Sequence, residues 1–232
     1  MSANATPIVE ASKLSRSYRL GEAVVPAVQD VSLAIAPGDF VALRGPSGSG
    51  KTTLLNLLGL LDRPDAGTVR VEGRDGEALS EEARSDLRRD RFGFVFQTFN
   101  LIPVLSAEEN VSYPMALAGV PAAERRARAR ELLSSVGLSA KFGVRPDLLS
   151  GGQRQRVAIA RALANGPAVV FADEPTANLD SHTAEEILDL MRGINTSRGV
   201  AFLFATHDAL VVSRARRVVT LHDGAVQSDA AA

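Results

Sequence analysis

Gly45-Pro46-Ser47-Gly48-Ser49-Gly50-Lys51-Thr52 fits the pattern G-x-x-x-x-G-K-[ST], between the apolar run Phe40–Leu43 and the helical run Thr53–Leu61. A strand before and a helix after is the context in which this pattern has physical meaning. The glycines let the chain curl so that backbone N–H groups converge on an oxyanion, and the helix start adds positive potential. Lys51 brings a compact charge to the β- and γ-phosphates of a nucleotide, and Thr52 offers a hydroxyl to Mg²⁺. Gly45 to Thr52, with Thr53 behind them, are therefore candidates for holding a nucleoside triphosphate. Only Lys13, Lys51 and Lys141 are Lys among the 26 Lys and Arg. That skew reads as general Arg usage, although one of the three stands where a point charge suits phosphate better than a planar fork.

Working outward, Ala168–Ala172 and Val200–Ala205 are short apolar runs like Phe40–Leu43, bounded by turn residues and separated by helical stretches. Such runs read as buried strands of a largely parallel sheet, so the expected fold class is α/β. Ile8–Lys13, Val31–Ile35 and Thr68–Val71 alternate apolar with polar residues, the pattern of half-exposed antiparallel strands. Arg217–Leu221 and Ala225–Gln227 flank Asp223-Gly224, a hairpin signal, and Ala230-Ala231-Ala232 is expected to fray. Roughly Thr98 to Leu149 reads as a helical insert. Ser106-Ala107-Glu108-Glu109 is a capping box, and Pro121 opens a second helix, Ala122 to Val136, closed by Gly137. Its Arg125, Arg126, Arg128 and Arg130 read as a solvated face, with Leu132, Leu133 and Val136 turned inward.

The length of 232 residues suits one domain with an appended subdomain, and a net charge of −1 gives no electrostatic footprint for nucleic acid. With no Cys, disulfide frameworks and thiolate metal sites are excluded. Met1 to Glu10 shows neither a basic n-region nor an apolar h-region, and the longest apolar run is far short of the roughly 20 residues a spanning helix needs. The expectation is a cytoplasmic protein whose membrane part, if any, is a separate chain.

Ala168-Val169-Val170-Phe171-Ala172-Asp173-Glu174 ends a strand in two carboxylates. An acid at such a strand end holds Mg²⁺ in phosphate-transfer enzymes, which points to Asp173, and Glu174 is then placed to accept a proton from a water. Adjacent acids before Pro175 are equally the mark of a turn. About twenty residues earlier stands Leu149-Ser150-Gly151-Gly152-Gln153-Arg154-Gln155-Arg156. Ser150 and Gln153 make a capping box for a helix running through Leu163. The box leaves Gly151-Gly152 unexplained, since Gly in a first helical turn is costly unless a backbone must approach an anion closely.

Leu149 to Gln153 matches the L-S-G-G-Q signature in full, and with it the chain resembles the ABC ATPase family. The resemblance runs from Tyr18 to Asp223-Gly224 and implies a P-loop core with an antiparallel β subdomain and an inserted helical subdomain, approximately residues 98–149 of a single 1–232 domain. It implies MgATP hydrolysis, with Glu174, His207 and Gln97 catalytic and Thr52, Gln97 and Asp173 around the metal. By the same resemblance Tyr18 stacks on adenine and Asn178-Leu179-Asp180 is the D-loop. Ser150, Gly151, Gly152 and Gln153 would close the site of a second copy in a head-to-tail homodimer or pseudo-dimer. An integral-membrane permease would be the partner, placing the chain at the inner face of the membrane.

Gly59-Leu60-Leu61-Asp62-Arg63-Pro64 and Phe94 to Leu101 further resemble the LolD/MacB/FtsE group of lipoprotein-releasing, exporting and cell-division systems; Val144-Arg145-Pro146 departs from it where many relatives carry His. The group leaves two readings: a driver of transport or release, and the ATPase of a non-transporting cell-division complex. Phe99 to Leu105 is expected to contribute to the permease-docking surface, with Phe99 and Asn100 foremost.

Overall fold

The computed structural model describes residues 6–21 and 23–231. Two sheets organise it. Strands β3 (Phe40–Arg44), β6 (Phe92–Phe96), β7 (Val169–Asp173), β8 (Ala201–Thr206), β9 (Arg217–His222) and β10 (Ala225–Ala231) form a six-stranded sheet in the order β10-β9-β3-β8-β7-β6. Its neighbours are parallel except β9 and β10. Strands β1 (Val9–Leu20), β2 (Ala23–Ile35), β4 (Ala66–Val71) and β5 (Arg74–Asp75) make an antiparallel sheet in the order β2-β1-β4-β5.

The parallel strands are apolar on both sides because each face has its own core. Val41, Leu43, Phe171 and Leu203 face a cluster shared with Val9, Val69 and with Leu54 and Leu57 of helix α1 (Lys51–Leu58). The alternate residues Phe40, Val170, Phe202 and Phe204 face a second cluster with helices α3 (Ala107–Leu117), α4 (Ala122–Ser135), α5 (Gly151–Ala162) and α6 (Ser181–Arg198). Period-two alternation thus splits each strand between two cores. Each such buried Leu or Phe contributes roughly 1.5–3 kcal/mol.

Several expectations need correction. The helix after Gly50 is Lys51–Leu58, not Thr53–Leu61: Gly59 caps it, and Leu60 takes a left-handed φ of 55° that turns the chain away. The antiparallel strands outrun their alternating segments because β1 and β2 continue as a two-stranded ribbon whose ladder, not burial, holds Tyr18 to Leu20. Ala230 and Ala231 do not fray; they pair with Val218 and Arg217, and the ion pair of Arg217 with Asp229 fastens the strand. Ala232 and Met1 to Ala5 lie outside the described residues. Helix α6 fills the helical stretch expected between Ala172 and Val200, whereas helices α2 (Glu81–Arg91) and α7 (Ala209–Arg214) were not anticipated.

Both expected boxes form: Ser106 with Glu109 starts α3, and Ser150 with Gln153 starts α5. On α4 the inward Leu132, Leu133 and Val136 are buried, while Arg126 and Arg130 reach across to Glu108 of α3 at 2.7 and 2.5 Å. Among the described residues no helix is long and apolar enough to cross a membrane.

Candidate active site

The loop between β3 and α1 is shaped by its own surroundings. Gly48 and Gly50 have φ of 80° and 95°, and a Cβ at Gly50 would run into the carbonyl oxygen of Ala27. No side chain caps α1, so its first N–H groups stay open to the loop. Lys51 is largely buried and folds back to donate to the carbonyls of Gly45 and Pro46 at 2.8 and 2.9 Å. Those are weak partners for an ammonium, and a phosphate oxygen in the loop would be a stronger one.

Parallel strands deliver the other groups to the same end of the sheet. Pro46 to Gly48, Gly50 to Thr53, Gln97 after β6, Glu174 after β7 and His207 after β8 line one cleft of about 550 Å³, with Ala27 from the antiparallel sheet. Thr52 Oγ1 donates to Asp173 Oδ1 at 3.1 Å. Two hard oxygens so close suit a small divalent cation that completes its shell with water and phosphate. Burial pushes the Asp173 carboxyl above its usual range, the Thr52 hydrogen bond opposes that, and Glu174 raises it again. A cation at this point would relieve both unfavourable contributions.

Glu174 is the most constrained residue of the cleft. Its φ of 45° is left-handed, which costs a non-glycine residue about 1–3 kcal/mol and persists where surroundings over-determine it. Its carboxylate accepts from Thr206 Oγ1 at 2.9 Å and from the His207 backbone N–H at 3.1 Å, and lies 2.6 Å from His207 Nδ1. Thr206 was overlooked in the sequence; its signal was a hydroxyl in an otherwise apolar strand end.

The remaining anticipated residues are outside the cleft. Tyr18 is partly exposed, its hydroxyl donating to Asp62 at 2.9 Å and its ring 5.0 Å beneath the guanidinium of Arg16. Arg16 is in turn paired with Asp62 and Asp65. Asp180 caps α6, accepting from Thr183 Oγ1 at 2.7 Å and from Thr183 N at 3.0 Å, and those bonds hold its carboxyl below the usual range. Asn178 donates to the Gln97 carbonyl at 2.9 Å and so ties the two loops together.

Ser150 to Gln153 do not line the cleft that contains Lys51. The box uses the N–H groups of Ser150 and Gln153; those of Gly151 and Gly152 take no hydrogen-bond partner among the described residues. Gly152 has an internal reason as well, since its Cβ would come within 2.5 Å of Thr183 Cγ2. Gly151 has none as pressing: its nearest neighbour would be Leu179 at 3.4 Å.

A second cavity, of about 360 Å³, lies beyond Gln97. Phe94, Phe96, Leu61, Pro114 and Leu117 supply its apolar lining and Arg88, Arg89 and Arg161 its charged rim. Asn100 lines it. Phe99 does not, contrary to expectation: it is only 9% exposed, with the Arg154 guanidinium 5.1 Å from its ring centre. In that segment it is Val104 that stands out, 71% exposed.

Comparison with known proteins places this geometry in a family. Residues 28–177 match the family described as ABC transporter. Over 97% of its length the chain is 48% identical to a macrolide export ATP-binding/permease protein MacB of Syntrophobacter fumaroxidans, and over 95% it is 50% identical to one of Rhodopseudomonas palustris. It spans about a third of the length of these relatives, 32% and 34%. Among solved structures, a dimeric post-hydrolysis state of the ATP-binding cassette MJ0796 bound to ADP and Pi superposes with a TM-score of 0.89 at 42% identity, covering 96% of this chain and 98% of that one. A second dimeric structure of MJ0796, a bacterial ABC transporter cassette, superposes with the same score at 41% identity. The likeness runs through both sheets and the helices between them, and the chain belongs to the ABC transporter family.

Proposed function

We propose that this chain binds and hydrolyses MgATP and drives an integral-membrane permease, most in keeping with export or lipoprotein release. The observation that carries the reading is the convergence of Lys51, Thr52, Glu174, His207 and Gln97 on one cleft, with Asp173 hydrogen-bonded to Thr52. The MacB relatives are named for an ATP-binding and a permease function together, and the MJ0796 cassette is dimeric with ADP and Pi, which supports the same assignment here.

In this reading Gly45 to Thr53 hold the phosphates, with Lys51 leaving its two carbonyls to neutralise them. Thr52, Asp173 and Gln97 take Mg²⁺, which supplies charge neutralisation when bound. Glu174 orients the attacking water and takes its proton, fixed by Thr206, while His207 bridges Glu174 and the γ-phosphate end of the cleft. Tyr18 receives the adenine. Ser150, Gly151, Gly152 and Gln153 serve the site of a second copy, where the unpaired N–H groups of Gly151 and Gly152 meet the γ-phosphate, and Asp180 lies along that interface. Residues 98–149 act as a helical subdomain carrying the signature toward the partner, and the cavity beside Asn100 receives the permease.

Two variants test this. Lys51→Ala is expected to lose ATP affinity and to cut turnover at least about a hundredfold. Ser150→Arg is expected to bind ATP as a monomer yet fail to dimerise, and mixing the two should leave at most one intact composite site per dimer. Parental turnover in Lys51→Ala removes the loop from the mechanism; parental turnover in the Ser150→Arg homodimer removes the shared site. A permease that co-purifies with the chain yet moves no solute during turnover would favour the force-transmitting, cell-division reading.

A further inference from the structure

If Glu174 takes the proton from the attacking water, the direction of its carboxylate governs the rate, and a left-handed residue does not hold that direction by itself. Thr206 and His207 grip the side chain. The backbone just after it is gripped by something else: the Pro175 carbonyl accepts from Gln155 Nε2 at 2.6 Å. Gln155 is fully buried, and its Oε1 has no hydrogen-bond partner. Oε1 cannot face the carbonyl, since two partial negative charges would meet, so the bond to Pro175 is the one polar contact that this amide makes. An apolar side chain of the same length would remove the stranded Oε1 but would leave the buried Pro175 carbonyl without its donor. Retaining an amide there therefore points to the donation to Pro175.

Gln155 lies in the first turns of α5, just beyond Ser150 to Gln153. The same helix also supports a left-handed turn that follows Gln97, outside the cleft. Phe99 and Asn100 are consecutive left-handed residues, and Arg161 donates to both their carbonyls. One helix thus carries the segment proposed to meet a second copy's nucleotide and braces the turns beside Gln97 and Glu174 in its own chain.

We propose that Gln155 is a positioning residue for Glu174, setting the carboxylate's direction through the Pro175 carbonyl according to where α5 sits. The proposal rests on the ATP-hydrolysis reading above. Gln155→Met keeps the length and removes both the donor and the stranded oxygen. Relief of the stranded Oε1 and loss of the donor to the Pro175 carbonyl oppose each other, so the variant is expected to melt close to the parental temperature and to bind ATP within twofold of the parental Kd. Its kcat is expected to fall about ten- to a hundredfold, the scale of a small misplacement at a reacting centre, and its ATP-bound dimer to persist longer. Gln155→Leu, which also lacks the donor and buries no polar atom of its own, gives the same reading if the Met variant fails to fold. Glu174→Gln runs alongside. Parental kcat in the Gln155 variants with Glu174→Gln inactive overturns the positioning role alone, and parental turnover in Glu174→Gln overturns the functional reading. Loss of ATP affinity and melting temperature in proportion to kcat would mark Gln155 as general scaffolding and also overturn the proposal.

Discussion

Two helices of this chain begin with glycine-rich sequence, and they are built differently. Helix α1 has the left-handed Gly50 at its start and no side-chain cap. Helix α5 has a complete capping box around Ser150. The glycines differ in what excludes a side chain: Gly50 is pressed by Ala27 of its own chain, whereas Gly151 has nothing nearer than 3.4 Å. Glycine that the chain's own packing demands says little about ligands. Glycine in a first helical turn that the chain does not need points outside the chain, and under the proposed function Gly151 would meet a phosphate held by another copy.

The largest expected effect is at Gly50. Gly50→Ala adds a Cβ to a left-handed residue and drives it into the Ala27 carbonyl, so ATP binding should be lost, at least about a hundredfold by fluorescent-nucleotide titration, together with melting temperature. Next comes Gly151→Ala. The methyl fits within the chain and favours the helix by up to about 1 kcal/mol, so the isolated chain should melt slightly higher. Turnover should nevertheless fall by about tenfold or more, because the methyl occupies the approach to the second copy's nucleotide. Parental turnover in Gly151→Ala would break the contrast outright.

Ser150→Ala removes the cap of α5 and should lower stability by about 1 kcal/mol, some 2–4 °C in a chain of this length, by calorimetry. The corresponding removal has no counterpart at α1, which has no side-chain cap. The smallest effect concerns Asp173, whose folded carboxyl lies above its unfolded value. Its ionised form therefore destabilises the fold: that penalty is complete above the folded pKa and disappears as pH falls below the unfolded one. Without nucleotide or Mg²⁺, Asp173→Asn should melt slightly higher than the parent at neutral pH, on the order of 2 °C, with the gap closing in acid. A gap that widens in acid would contradict the electrostatics assigned to the cleft.

Much of the architecture was legible because it is written in local patterns. Phe40 to Leu43 and Val200 to Ala205 read as buried strands from their apolar runs, and Ser106 with Glu109 read as a helix start because a capping box is a four-residue arrangement. Helix α2 was missed because Glu81 to Arg91 is almost wholly charged, with only Arg84 and Leu87 buried, so no apolar stripe advertises it. The exposure assigned to Phe99 failed for a related reason. Nothing near it in sequence announces that Arg154, fifty-five positions on, covers its ring.

The amino-acid sequence by itself determined the α/β class and the pattern matches at Gly45 to Thr52 and Leu149 to Gln153, because each is written in a short local run, while Asp173-Glu174 read equally as a turn. Tertiary structure alone decided which of these meet. It joined Gln97, Glu174 and His207 to Lys51 in one cleft, left Ser150 to Gln153 outside it, and set Gln155 against Pro175. Those encounters depend on parallel strands ending side by side and on the placement of α5 over them, and contacts between residues dozens of positions apart leave no local trace in the chain.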